Sequence, residues 1–193
     1  MKTALLASAA SLLVLGFSPG LAAASTCPDS GRLPVANGDH GTATAVVCLV
    51  NQERAKVHLR PLKVNSSLTT AAAKYSARMV AEGFYSHYDP RGQSADQRVR
   101  ASGYLTGAWV WGLGENIAAG AGSSATPETI VGTWLSSPSH RANMLAADWT
   151  EIGVGAAVGN PYTSRGATYT AEFGNRVAKP KKKHKPRPHR KRR

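Results

Sequence analysis

Residues 151–159 read EIGVGAAVG, and residues 167–175 read ATYTAEFGN. In the first stretch Ile152, Val154 and Ala156 alternate with small residues, mostly glycine. In the second, Thr168, Thr170 and Glu172 alternate with Tyr169, Ala171 and Phe173. A period of two marks a strand whose two faces meet different surroundings. These two strands lie close together near the C-terminal end of a chain that until then reads mostly as helix. Helices first and neighbouring strands last favour an α+β fold over alternating βαβ units.

Upstream, TAVVCLVNQERAKV (44–57) sets Val46, Val47, Val50 and Arg54 at helical spacing, with Leu49 and Val57 widening the apolar face. Pro61 closes that segment. NSSLTTAAAKYSARMVAEG (65–83) predicts a helix capped by Ser66 or Ser67, striped by Leu68, Ala72, Tyr75 and Met79, and ended by Gly83. Ser94 and Gln97 have the spacing of a capping box; Val99 gives that helix its inner contact and Gly103 ends it. TPETIVGTWLSS (126–137) opens with Thr126 as cap and Pro127 at the first helical position, and a short turn follows across HRANML (140–145). GENIAAG (114–120) reads equally as strand or loop. No internal repeat is present.

The ends differ from the middle. Lys2, the apolar run ALLASAASLLVLGF and the small residues of LAAAS have the pattern of a secretory signal spanning residues 1–24. The run is too short for a membrane span of roughly 20 residues, and no later stretch reaches that length. The last fifteen residues, KPKKKHKPRPHRKRR (179–193), hold ten of the 24 Lys and Arg residues. Without them and Lys2, thirteen basic residues face eleven acidic ones, so most of the net charge of +13 belongs to the tail. With three prolines and nothing apolar to bury, residues 178–193 are expected to be disordered. Such a tail suits polyanions: anionic cell-wall polymers, acidic lipid head groups or extracellular nucleic acid. Cys27 and Cys48 are the two cysteines. In a secreted chain the default is one disulfide, which would tether residues 25–43 to the first helix; two free thiols are the alternative.

Two histidines share a setting: His87 in FYSHYDPRG (84–92) and His140 in SSPSHRANML (136–145) each follow a serine beside a proline near a helix end. Read alone, His87 is a polar loop residue. His140 is then an imidazole on a first helical turn capped by Ser139 or Ser137. Glu115 is harder to dismiss, because WGLGENIAAG surrounds it with Trp111, Leu113, Ile117 and alanines. A carboxylate in such company must find partners or shift its pKa upward. No spacing here matches a dedicated metal motif such as H-E-x-x-H.

SHYDPRG, GY, GENIAAG, VGTWLSSPSHRANML, EIGVGAAV and YTAEFG resemble, in order and spacing, the CAP superfamily of cysteine-rich secretory, antigen 5 and pathogenesis-related class 1 proteins. The resemblance runs from about Thr44 to Gly174 and is nearest to the bacterial SCP-like branch, giving a CAP domain over residues 44–177. It implies a three-layer α–β–α sandwich with a central antiparallel sheet. It also implies that His87, Glu115 and His140 line one cleft. Many members add a glutamate three residues after the helix tryptophan; here that position is Ser137, so the tetrad is incomplete. Two imidazoles and a carboxylate suit zinc or another divalent metal. The chain is therefore expected to be a secreted monomer binding a metal or small ligand, with a metal-dependent hydrolase using His87, Glu115 and His140 as the alternative. A fold shared by proteins with many roles does not assign a reaction.

Overall fold

The computed structural model describes residues 26–37, 39–178 and 180. The expected signal and almost all of the basic tail lie outside the described residues. The first helix, α1, runs His40–Lys56 and starts four residues before the sequence pattern suggested. Asp39 explains the early start: its carboxylate accepts from the N–H groups of Gly41 and Thr42 at 2.9 and 3.2 Å. The Arg32 guanidinium, 2.7 Å away, holds that carboxyl well below the usual carboxylate range. Val46, Val47, Val50 and Arg54 are buried as their spacing implies. Val57 does not extend the apolar face, because the helix has ended and the residue stands exposed at its C-cap.

A two-residue strand β1 (Lys63–Val64) leads into α2 (Ser66–Glu82). The cap of α2 is Asn65 rather than Ser66 or Ser67. Its side-chain oxygen accepts from Ser67 and Leu68 N–H, while its amide donates to Glu151 at 2.7 Å. A serine hydroxyl lacks the two separate ends that serve both tasks. Gly83 closes α2 in the left-handed region, with φ of 67°. Helix α3 (Ala95–Ala101) begins with Gln97 accepting from the Ser94 N–H at 3.0 Å. GENIAAG proves to be strand, within β2 (Ala108–Gly120). A single 3₁₀ turn (Gly122–Ala125) then precedes α4 (Pro127–Ser136), α5 (Pro138–Met144), β3 (Glu151–Asn160) and β4 (Thr163–Ala178).

The sheet order is β1-β3-β4-β2; β1 pairs parallel with β3, and the two long pairings are antiparallel. Helix α2 covers one face, while α1 and α4 cover the other, giving the α–β–α layering. The alternation in β3 shows how. Ile152, Val154 and Ala156 join Tyr169, Ala171, Phe173 and the fully buried Trp134 in the larger core. Gly153 and Gly155 face α2, where a Cβ would collide with the backbone at Leu68–Thr69 and Ala72–Ala73. The glycines are the groove into which α2 settles.

The disulfide joins Cys27 and Cys48, with 21 residues of separation and a Cα–Cα distance of 5.7 Å. Replacing both cysteines with serine is expected to lower stability by about 3 kcal/mol, the loop-closure value for this length. For a domain of this size that is a fall in Tm of roughly 6–12 °C. Thermal unfolding with and without the bridge checks it; equal Tm values would assign the bridge no stabilising role.

Candidate functional site

His87 sits in the loop between α2 and α3, which Asp89 organises from inside. The Asp89 carboxylate accepts from the N–H groups of Arg91 and Gln93, both at 2.8 Å, and pairs with Arg78. Burial would raise the pKa of Asp89, but the Gln93 and Arg91 N–H groups and Arg78 outweigh it, holding the carboxyl below its ordinary value. Tyr75 fixes the loop from α2, its hydroxyl donating to the Ser86 carbonyl at 2.7 Å. Burial pushes that hydroxyl up to about 12, so it remains a neutral donor.

Glu115 projects from β2 into this loop and is 3% exposed. Its two oxygens have different partners. One lies 2.7 Å from His87 Nδ1 and the other 2.5 Å from the Arg98 guanidinium. Arg98, on α3, also donates to the carbonyls of His87 and Gln93 at 3.1 and 2.9 Å and lies 3.3 Å above the centre of the Tyr75 ring. The carboxylate that had to find partners has found a cation and an imidazole. In the neutral imidazole, a proton on Nδ1 directed at Glu115 leaves Nε2 as the acceptor.

Behind Glu115 lies Glu172. The two are directly paired across β2 and β4, which places their side chains on the same sheet face. Glu172 is fully buried, and burial together with the neighbouring Glu115 carboxylate raises its pKa well above the ordinary value. Both Glu172 oxygens are buried without a hydrogen-bond partner among the described residues, so its surroundings favour the neutral, protonated carboxyl over the carboxylate. The position that the resemblance leaves without a glutamate, Ser137, is the N-cap of α5, its hydroxyl 3.3 Å from that of Ser139. A second carboxyl exists nearby, but β4 supplies it.

His140 is on α5, and Asn116 holds its backbone: the Asn116 side chain donates to the His140 carbonyl at 3.0 Å and accepts from Asn143 at 2.9 Å. The His140 Nδ1 is buried with no hydrogen-bond partner among the described residues. Burial, and then the charge of His87, lower the pKa of His140, favouring the neutral ring. A cleft of about 340 Å³ runs past His87, Tyr88, Ser94, Asp96, Trp111 and Glu115. His87 and Glu115 thus meet directly. His140 is outside that lining, near enough to His87 for its own protonation to feel that charge. Among the described residues no three His, Cys, Asp or Glu side chains are spaced to hold one metal ion. Sequence reasoning missed Arg98 and Glu172. The signal open to it for Glu172 was a lone acid inside an otherwise uncharged strand pattern.

Comparison with known proteins agrees with this architecture. Residues 47–173 match the family model described as CAP, the cysteine-rich secretory protein family. The "Uncharacterized protein YkwD" of Bacillus subtilis (strain 168) is 35% identical over 130 residues, covering 66% of this chain and 45% of YkwD. The match therefore spans less than half of that relative's length. An extracellular protein containing a SCP domain from Bacillus anthracis superposes with a TM-score of 0.56 at 26% identity, over 69% of this chain and 40% of that one. An outer surface protein from Borrelia burgdorferi gives 0.57 at 22% identity, over 68% and 90%, a likeness of fold. Motif order, α–β–α layering and the match across residues 47–173 together make this chain a member of the CAP family of cysteine-rich secretory proteins.

Proposed function

We propose that this is a secreted CAP-domain protein whose cleft binds a divalent metal ion or a small ligand without catalysing a reaction, and whose basic tail holds it at an anionic envelope surface. The observation that carries the cleft reading is the His87–Glu115 bond beside His140. Glu115 turns His87 so that Nε2 is left as the acceptor, and His140 Nδ1 is a second buried imidazole nitrogen without a partner among the described residues. Neutral imidazole nitrogens are good ligands for zinc. Glu115 itself, with both oxygens engaged and a guanidinium against one, suits the role of orienting His87 rather than that of a ligand. Binding is favoured over hydrolysis because Glu115 is fully engaged and Glu172 is sealed from solvent, leaving neither free to act as a general base. Among the described residues no helix is long and apolar enough to cross a membrane. Envelope attachment therefore falls to the tail in this reading.

Calorimetry with zinc on the wild type and on the His87→Ala/His140→Ala variant tests the cleft. Wild-type binding is expected to be lost in the double variant. It should also weaken as pH falls through about 6.5, where an ordinary imidazole protonates. The lowered pKa of His140 lets that nitrogen remain a ligand to more acid pH. Glu115→Gln should weaken binding by about 10–100-fold, as loss of an orienting partner does. Equal binding by the double variant would remove the metal reading.

A further inference from the structure

The largest groove among those described shares no lining residue with the His87 cleft. It has a volume of about 780 Å³ and runs between the loop after α1 and the ends of β3 and β4. His58, Arg60, Lys63 and Arg176 line it, with Glu151 as the acid in the lining. That acid is already engaged: Glu151 accepts from Asn65 at 2.7 Å and from the Tyr104 hydroxyl at 2.8 Å, and lies 3.5 Å from Arg176. Asp148, in the adjoining turn, is the other carboxylate close by in the chain. The side chains of Arg60 and Lys63 are exposed and are paired with no carboxylate among the described residues.

The wall carrying these cations is rigid. His58 turns the chain out of α1 with φ of 59°, a conformation that L residues with side chains adopt at a cost. The fully buried Arg54 then grips the carbonyls of Arg60, Met144 and Ala146 at 2.9–3.0 Å, tying together the loops on both sides. Asn51 clamps Leu62 from both directions, accepting its N–H at 2.8 Å and donating to its carbonyl at 3.1 Å. Lys63 enters the sheet, its N–H donating to the Thr150 carbonyl at 3.0 Å. The main chain that carries Arg60 and Lys63 is thereby fixed at the groove, so only their exposed side chains have to settle when an anion arrives.

The position of the groove matters as much as its charge. Arg176 precedes Lys179 by three residues, so the run of ten basic residues begins within about 10 Å of chain from the groove. Along the lining the aromatic ring belongs to Trp149, which is half-buried with its N–H donated to the Asn143 carbonyl at 2.9 Å. Recognition of single-stranded nucleic acid leans on open aromatic faces for stacking, and this ring is partly taken up by packing against the larger core. We propose that this groove binds a flexible, phosphate-bearing polyanion. The inference shares the polyanion part of the proposed function but needs the folded body to contribute its own site.

Binding to immobilised inorganic polyphosphate, followed across salt concentration, tests it. Four full-length chains are compared: wild type, Arg60→Ala/Lys63→Ala, a chain with the ten Lys and Arg residues of 179–193 changed to Gln, and the combination. Removing one cation from a phosphate lowers the log–log salt slope by about 1, so Arg60→Ala/Lys63→Ala should lower it by about 2 with Tm unchanged. The Gln-tail chain should keep weaker, salt-sensitive binding at low salt, and the combination should lose it. If the Gln-tail chain shows no binding at low salt, or Arg60→Ala/Lys63→Ala leaves the slope unchanged, the groove is not a site although the tail reading survives. If the Gln-tail chain binds as the wild type does, the tail reading fails and the groove stands. Single-stranded DNA bound as tightly through Arg60 and Lys63 would overturn the choice of polymer.

Discussion

Replacing Arg98 with methionine is expected to lower stability by about 3–5 kcal/mol, the usual result of stripping one partner from a buried ion pair. In Tm this is a fall of roughly 6–20 °C for a domain of this size. Methionine preserves much of the packing against Tyr75 but removes the cation from two carboxyl groups that share one sheet face. It also frees the carbonyls of His87 and Gln93, so the loop carrying His87 should loosen at the same time. A double-mutant cycle separates the charge from the packing. Adding Glu115→Gln should recover a large part of the loss, because the charge left unpaired is then gone. A loss below about 1 kcal/mol, or no recovery in the double variant, would mean that the Arg98–Glu115 pair carries little of the fold's stability.

Gly155→Ala should be comparably damaging for a different reason. Its Cβ would fall inside the backbone of α2 at Ala72 and Ala73, and a helix backbone cannot step aside as a side-chain tip can. Overpacking costs about 1–3 kcal/mol where side chains can shift, and the upper end or beyond applies here. Displacing α2 also disturbs the bond from Ser76 to the Gly155 carbonyl and the packing of Leu68, Tyr75 and Met79. The control is Gly132→Ala in α4, where nothing lies within 4 Å of the new methyl group. That change should be neutral or stabilising by up to about 1 kcal/mol, since alanine suits a helix better than glycine. Chemical denaturation of both variants decides the matter, and equal effects would refute the close helix–sheet approach.

The sequence was most legible where a local pattern has a local cause. The period-two alternation in β3 and β4, the proline start of α4, the Ser94–Gln97 box and the Gly83 stop all came through, because each depends on residues within one turn or strand. The cap of α2 was placed one or two residues late, at Ser66 or Ser67, because Asn65 is chosen partly by Glu151, 86 positions away. The same limit applies to the site. His87 and Glu115 were visible through motif resemblance, but the link from Glu115 to Glu172 is made by sheet register across 57 positions. Arg98 reads as an ordinary charge on a short helix until the fold brings Tyr75 and Glu115 around it. GENIAAG was ambiguous because β2 has small residues on both faces, so alternation is faint until the pairing with β4 is known.

The protonated state of Glu172 reaches beyond the cleft. In the unfolded chain this residue is an ordinary glutamate and is ionised at neutral pH. In the fold, burial and Glu115 raise its pKa. Between the ordinary glutamate value and the raised one, the native state binds a proton that the unfolded state does not. The stability tied to this group is fully present below the ordinary value and drains away as pH climbs through the raised one. Where the pH lies between those two values, folding is coupled to taking up a hydrogen ion, and acidity acts on the folding equilibrium as a co-substrate would.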